Sequence, residues 1–469
     1  MLPREQVTEI VERVLTQVRS GQAPSAPTAL PAQPHGVLPD ITQCSQAARQ
    51  AQHVLVALPL EKRREIIANM RRRLTEKTIE LSRMAVAETR MGRVEDKIRK
   101  NVLAINRTPG PEILETVAYT GDDGLTLVER APYGVIGSIT PTTNATETII
   151  CNGIGMVAGG NAVVFNCHPR AKDTSAFTVD IMNRASMEVG GPDNLLTSVA
   201  SPTIASAQEL MKHPAIQLLV VTGGPAVVKV AMGSGKKVIA AGPGNPPVVV
   251  DETADIGQAA RGIIAGASMD NNLICIDEKE VFVVDAVADQ LMEAMQHSGG
   301  VQVRNYQISR IEKLVVQPDK EHPVTEWVGQ DAGKILKEVD IPFSGDPRLI
   351  FAEVPFEHSF VQAELLMPVI GVVRCRDVHE AIDLAVEAEQ GNRHTAGMYS
   401  KNLDALHRMA RACDCSIFVK NAPHYAGLGF GGEGYASFTI ASPTGEGVTH
   451  AGHFTRTRRC TLAGYFRIV

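Results

Sequence analysis

GVIGSITPTTNATETIICNGIGMVAGGNAVVFN, residues 134–166, decides the fold. Its opening, Gly134–Ile139, is a short apolar run, and Ala162–Phe165 is another. Between them Glu147–Ala158 reads as a helix. A strand, a helix and a second strand of this kind make a βαβ unit with parallel strands. The alternation continues through strand-like runs at Leu195–Val199, Ile216–Val221 and Lys237–Ala240, with helix-like runs at Thr174–Glu188, Ala205–Lys212 and Ala226–Met232. This predicts a parallel sheet of roughly five strands, a Rossmann-like core with its ligand at the carboxyl ends of the strands.

After AGPGNPPVVVD (241–251) a second α/β unit is expected. Its strands are predicted at Pro247–Val250, Glu280–Val284, Leu349–Glu353, Ile370–Cys375, Thr395–Tyr399 and Ser416–Lys420. Helices are expected at Ile256–Ser268, Val287–Met295, Val378–Ala388 and Leu403–Ala412. Upstream, Ile41–Arg107 is helical in pattern, with Glu61–Arg73 as a solvated, charged face. Thr126, Val128 and Arg130 alternate like a half-buried strand, and RRCTLAGYFRIV should end the chain as a strand that adds to another sheet, often in a neighbouring subunit.

The N-terminus is different in character. Val7, Ile10, Val11, Val14, Leu15 and Val18 recur at helical spacing within residues 3–18, with Pro3 in the first turn. SGQAPSAPTALPAQPHG, residues 20–36, follows as an extended, semi-rigid spacer. Such a helix buries its stripe on its own body or in a partner. The chain thus divides at 1–18, 19–38, 39–246 (with strands near 115–132), 247–440 and 441–469.

Composition narrows the chemistry. The 469 residues are 44% hydrophobic, which excludes a wholly disordered chain. No apolar run approaches the ~20 residues of a membrane span. Lys+Arg 46 against Asp+Glu 52 gives a charge of -6, with 1 Trp and 7 Tyr, so neither a basic field nor stacking residues favour nucleic acid. The 8 Cys are scattered, and the Cys413/Cys415 spacing does not match a zinc or redox CxxC, so no metal is expected. The N-terminus lacks the basic start and apolar block of a secretory signal. Reduced thiols in the cytoplasm follow, one of them a candidate nucleophile.

Five segments carry candidate chemistry. Cys275, in ASMDNNLICIDEKEVFVV, lies at a junction of elements, where a thiolate finds access and backbone donors; a lone Cys is equally a small core residue. Asn144, in ITPTTNATET after the first strand, offers an amide to a developing oxyanion, worth ~3 kcal/mol. Thr142, Thr143 and Asn144 are also good helix caps, and on the residues alone the cap is preferred. Gly223 and Gly224, in VVTGGPAVV, allow close approach of a pyrophosphate to backbone N–H groups, although no GxGxxG fingerprint is present. Glu364, in QAELLMPVIGVV, is a carboxylate fit to hold ribose hydroxyls or an exposed helix-end acid. The glycine run at 427–451 is a surface loop or a ligand-approach lining.

Taken together, PTTNATET, VVFNCHPRAK, TGGPAVV, AGPGNPP, NNLIC, ELLMPV and GFGGEGYASFTIASPTGEG, in this order, resemble the aldehyde dehydrogenase superfamily and its CoA-acylating branch. The resemblance runs from about residue 40 to Val469 and is closest to the propionaldehyde and acetaldehyde dehydrogenases associated with bacterial microcompartments. It implies an aldehyde dehydrogenase-like α/β fold: a Rossmann-type dinucleotide-binding domain, an α/β catalytic domain and a β oligomerisation arm. It further implies Cys275 as nucleophile, Asn144 as oxyanion donor and Glu364 on the nicotinamide ribose. Thr142, His168, Pro169, Gly223, Gly224 and Gly242 would line the NAD site.

One departure separates branches of the superfamily. Hydrolytic members carry a general-base Glu where VIAAGPGNPP (238–247) has Ala240 and Ala241, and no acid occurs until Asp251. A thioacyl-enzyme without that base should survive until CoA arrives. The resemblance therefore implies oxidation of a short-chain aldehyde to acyl-CoA with reduction of NAD+. The runner-up is hydrolytic release of a free acid; an acyl carrier or CoA transferase without NAD, and an inactive scaffold, stand further off. The helix 3–18 and linker 19–38 resemble the tags that dock cargo enzymes on microcompartment shell or cargo proteins, which places the chain in the microcompartment lumen as a homodimer or tetramer.

Overall fold

The computed structural model describes residues 4–20 and 31–468. Much of the predicted spacer, residues 21–30, lies outside the described residues. The chain forms two compact units, one of Met1–Glu88, Ile98–Ala241 and Tyr435–Val469, the other of Thr89–Lys97 and Gly242–Gly434. Two of these segments, 89–97 and 435–469, leave their sequence neighbours for the other unit.

The first unit is built on strands β1 (Val37–Leu38), β2 (Val117–Gly121), β3 (Gly124–Pro132), β4 (Val135–Ile139), β5 (Ala162–Asn166), β6 (Leu196–Val199), β7 (Ile216–Thr222) and β8 (Lys237–Ala241). Six of them form one sheet in the order β1-β6-β5-β4-β7-β8, every pair parallel. Every residue of β4 and β5 is buried, as expected of strands covered by helices on both faces. The sequence reading found five strands and missed β1, whose two residues carry no periodicity. They are placed by tertiary bonds instead: the His35 N–H donates to Asp180 Oδ1 at 2.7 Å and the His35 ring meets Asp193 at 2.9 Å. The spacer predicted to run to residue 38 therefore ends in ordered chain.

Helices α1 (Arg4–Arg19), α2 (Ile41–Ala57), α3 (Leu60–Thr89), α4 (Val94–Arg107), α5 (Ala145–Ala158), α6 (Lys172–Glu188), α7 (Ile204–Lys212) and α8 (Pro225–Met232) accompany these strands. Local signals fix their starts: Asp40 accepts from the Gln43 N–H at the head of α2, and Thr203 and Ser206 form a capping box on α7. In α1 the stripe is inside. Val7, Val11, Val14 and Leu15 are buried within this chain, Leu15 completely. The self-docked arrangement is the one observed.

The hairpin β2–β3 is joined by the C-terminal strand Thr455–Ala463, which runs antiparallel to β3 from Thr455↔Pro132 to Ala463↔Gly124. The predicted terminal strand thus pairs inside its own chain, and it stops at Ala463. Gly464, at φ +75°, turns the backbone out of the extended region, so the strand does not reach the terminus.

The second unit has its own sheet: β9 (Pro247–Val250), β10 (Glu280–Val284), β11 (Gly300–Gln302), β12 (Leu349–Glu353), β13 (Val369–Cys375), β14 (Thr395–Tyr399) and β15 (Ile417–Lys420). The order is β11-β12-β13-β10-β9-β14-β15, again parallel. Successive residues feed opposite cores: Val249 and Phe282 pack on one face, Val248, Val250, Val281 and Val283 on the other. The edge strand β11 and the helices Tyr306–Val315, Ala332–Glu338 and Ser359–Gln362 were not foreseen.

Introducing a charge under α1 tests its docking. Leu15→Asp should cost roughly 2–5 kcal/mol of the docked state, as for other truncations or charges at fully buried aliphatic sites. Limited proteolysis should then cut within residues 4–20 while the remainder of the chain stays resistant.

Candidate active site

In the first unit the direction of the chain changes sides at β4, since β5 and β6 lie to one side of it and β7 and β8 to the other. Parallel sheets bind ligands at the carboxyl ends of strands flanking such a switch. The register brings those ends level: Ile139 pairs with Asn166 and with Val221, and Thr222 with Ala241. Thr142 and Asn144 follow β4, His168 and Pro169 follow β5, Gly223 and Gly224 follow β7, and Gly242 follows β8. Every first-unit residue singled out from the sequence stands on this one edge.

Asn144 occupies the N-cap position of α5, but its side chain makes no capping bond. The preference for a helix cap is therefore corrected: Asn144 stands at the N-cap position with φ -131°, ψ 52°, and its side chain bonds none of the helix N–H groups. Its Nδ2 donates to Thr143 Oγ1 at 3.2 Å, while its buried Oδ1 has no partner among the described residues. Nearby, Lys100 and Glu147 form a fully buried pair at 3.2 Å. Gly224 caps α8, and a Cβ added there would meet nothing within 4 Å, so the backbone at this helix start is open to a ligand. His168 accepts from the Arg170 N–H at 3.2 Å and caps a short turn at Pro169–Ala171, with burial holding its ring below the usual histidine range.

Over its second half the glycine-rich segment is packed into the first unit rather than a loose surface loop. Ala436, Phe438 and Ile440 are buried. The Thr439 hydroxyl meets Thr222 at 2.9 Å and donates to Asn152 Oδ1 at 3.1 Å, and the Ala240 N–H donates to Thr444 at 3.0 Å.

In the second unit the candidate residues gather at the opposite, amino-terminal ends of β9, β10, β13 and β14. Cys275 lies in the loop before β10 and is partly exposed. Three successive residues ahead of it, Asp270, Asn271 and Asn272, hold left-handed φ values of 48°, 58° and 64°. Asp and Asn tolerate this region better than other side chains. Each is tied down: Lys97 pairs with Asp270 at 2.9 Å inside the unit, Asn271 Nδ2 donates to the Gly329 carbonyl, and Asn272 Nδ2 donates to the Ala267 and Glu278 carbonyls.

Lys279 completes the turn from inside. Its buried ammonium donates to Asn272 O at 2.9 Å, Asn272 Oδ1 at 2.7 Å and Ile274 O at 3.2 Å. Burial pushes the Cys275 thiol up to about 12, with Glu364 adding to the rise and Lys279 opposing it. At neutral pH the resting sulfur is therefore a thiol, not the thiolate that the nucleophile role requires, and loss of its proton is an uphill step. Burial also raises Glu364, to about 7, against the pull of Lys279 and of the Gly244 N–H. Glu364 is half-buried, which corrects the reading of an exposed helix-end acid.

His394, which the sequence reading missed, stands directly before β14. It is wholly buried, with its Nδ1 at 2.9 Å from Thr395 Oγ1 and its Nε2 unpartnered among the described residues. A Cβ on Gly244 would meet the His394 ring at 2.9 Å and the Cys275 carbonyl at 3.0 Å, so only glycine lets histidine and thiol loop approach this closely. Burial holds His394 neutral, at about 4. Glu280, at the start of β10, is raised well above the carboxylate range by burial and has both oxygens unpartnered among the described residues.

Opposite charges acting on one thiol give opposite predictions. Glu364→Gln should move the pH profile of Cys275 alkylation by iodoacetamide to lower pH, and Lys279→Met should move it higher. The second change also removes the turn's internal donor and should cost about 3–5 kcal/mol. Peptide mapping must follow Cys275 itself, because Cys415 and Cys460 also carry accessible surface.

The aldehyde dehydrogenase family profile matches residues 23–451. The acetylating acetaldehyde dehydrogenase EutE of Escherichia coli K12 is 46% identical over 99% of this chain and 100% of its own. Among solved structures, a propionaldehyde dehydrogenase from the Clostridium phytofermentans fucose utilisation bacterial microcompartment superposes with a TM-score of 0.91 at 47% identity, over 93% of this chain and 100% of that one. The Rhodopseudomonas palustris propionaldehyde dehydrogenase, with bound CoA and an acylated cysteine, gives 0.90 at 46% identity over 92% of this chain and 98% of that one. A profile match over most of the chain, joined to full-length relatives at this identity, places the protein in the aldehyde dehydrogenase family.

Proposed function

We propose that this enzyme oxidises a short-chain aldehyde, propionaldehyde or acetaldehyde, to its acyl-CoA while reducing NAD+. The observation that carries the reading is the thiol of Cys275 on its left-handed turn, presented with partial exposure between Lys279 and Glu364. The named relatives act on these aldehydes and on CoA, and the R. palustris structure holds its acyl group on cysteine.

The open backbone at Gly224, at the start of α8, fits a dinucleotide pyrophosphate. Thr142, His168, Pro169, Gly223 and Gly242 would complete that site, and Glu364 would hold the nicotinamide ribose. When bound, NAD+ accepts the hydride. The chain's own groups do the remainder. Cys275 sulfur adds to the aldehyde carbon as the thiol proton leaves, and the amide of Asn144 steadies the resulting oxyanion. Loss of hydride leaves a thioester on Cys275. With alanine at 240 and 241, no carboxylate stands at the position from which hydrolytic members recruit water. The thioester persists until the CoA thiol displaces Cys275 and releases acyl-CoA.

The assay is direct. Purified protein with NAD+ and propionaldehyde should make NADH in a burst limited by the enzyme, and sustained turnover should require CoA. Full turnover without CoA identifies the hydrolytic alternative and overturns the proposal. Cys275→Ala should lower kcat by at least roughly 10³-fold, the scale of losing a covalent nucleophile.

The helix α1 with its spacer is proposed as the docking element for a microcompartment shell or cargo protein, the enzyme working in the lumen as a homodimer or tetramer. Docking would exchange the intramolecular burial of Val7, Val11, Val14 and Leu15 for burial in the partner. Removing residues 1–20 should leave turnover of the soluble enzyme intact and abolish co-purification with shells.

A further inference from the structure

We propose that the amino-terminal edge of the first unit's sheet carries a second binding site, for a phosphorylated polyol of the sugar-phosphate class. A cleft of about 520 Å³ opens there between α2 and the residues that lead into β4 and β7. The carboxyl ends of the same strands hold the proposed dinucleotide site, so the two lie on opposite edges of one sheet.

The charge of the cleft has one sign. Arg49 on α2 lines it together with the imidazoles of His53 and His213, and among the described residues no Asp or Glu does. Among the described residues Arg49 enters no ion pair, so its five N–H donors can fork onto phosphate oxygens. Lys237 adds to the positive rim: its Nζ donates to the hydroxyl of Tyr133, another lining residue, at 2.9 Å. The wall at His213 is braced, since Lys236 Nζ donates to the carbonyls of His213 and Ile216 at 2.9 and 2.8 Å. His213 Nδ1 accepts from the Ala215 N–H at 3.3 Å, which leaves Nε2 for a ligand.

The floor is built for hydroxyl groups. Ser45 is 0% exposed, lines the cleft, and its Oγ has no hydrogen-bond partner among the described residues. A buried hydroxyl left in that state is destabilising, and a ligand oxygen would recover the lost hydrogen bond. Beside it Gln52, 8% exposed, uses its Nε2 on the Gly160 carbonyl at 3.1 Å and keeps its own carbonyl oxygen to accept. Gln46 and Gln217 add amides to the walls, and the Tyr133 ring offers a flat face to the carbon side of a sugar. Cations at the rim with hydroxyl and amide groups below match a phosphate joined to a polyol better than either part alone.

Calorimetric titration of the full chain tests this, with NAD+ and CoA saturating so that their own sites are filled. Ribose 5-phosphate should bind in one saturable event per chain, and ribose or inorganic phosphate alone should each bind at least roughly tenfold more weakly. Arg49→Gln, and separately His213→Ala, should weaken ribose 5-phosphate by about tenfold or more, with CoA-dependent NADH formation unchanged as the control for folding. Absence of a saturable event, its loss on adding NAD+ and CoA, or wild-type affinity in both variants would overturn the site. Inorganic phosphate binding as tightly as ribose 5-phosphate would overturn the polyol assignment.

Discussion

A single ammonium group organises the chemistry of the second unit. Lys279 sits inside the protein at the foot of β10, with Glu278 and Glu280 as its neighbours in sequence and Glu364 within electrostatic reach. Removing a charge from water is costly unless hydrogen bonds and opposite charge compensate. Here the hydrogen bonds do so, through the carbonyls of Asn272 and Ile274 and the Asn272 amide oxygen, while burial pushes the neighbouring acids toward their neutral forms. The same group that closes the turn also opposes the rise that burial and Glu364 impose on the thiol three residues beyond Asn272. The shape of the turn and part of the electrostatic setting of Cys275 therefore share one cause.

The two sheets use their ends differently. In the first unit the loops leaving β4, β5, β7 and β8 stand level on the carboxyl edge, and a side chain added at Gly224 would meet open space. In the second unit the titratable groups gather on the amino-terminal edge, where Gly244, His394 and the Cys275 carbonyl are nearly in van der Waals contact. One edge leaves open backbone at a helix start; the other packs ionisable side chains where water is scarce. Desolvation there holds the thiol and Glu364 up and His394 down, so that all three are neutral or near neutrality together.

Periodicity made the strands of both sheets legible, because a parallel strand buried on both faces leaves a run of aliphatic residues. It gave no sign of Val37–Leu38 or Gly300–Gln302, which are held by partners far along the chain rather than by a pattern of their own. Cys275, Asn144 and Glu364 were noticed for their functional groups and the segments around them. The thiol's environment was not readable: Lys279 looks like one more charge in DEKE, and only the fold turns it inward. His394 escaped for the same reason, since a histidine beside a strand has no signature until Gly244 is seen against it. Asn144 misled in the other direction. Its position is that of a cap, and only the missing bond to the helix N–H groups shows that the amide does not serve as one.

The partnership of residues 455–463 with β3 has a consequence for how the chain comes into being. Most of the second unit, residues 242–434, is spelled out before the last segment of the first, so a ribosome completes it before the last strand of the earlier unit exists. Until then β3 has only its hairpin partner β2, and the buried anchors Ala436, Phe438 and Ile440 are still to be made. The unit begun first is thus finished last. Its closure waits on contacts more than three hundred residues apart in the chain, the kind of pairing that makes folding slow and leaves nascent edges in need of chaperoning.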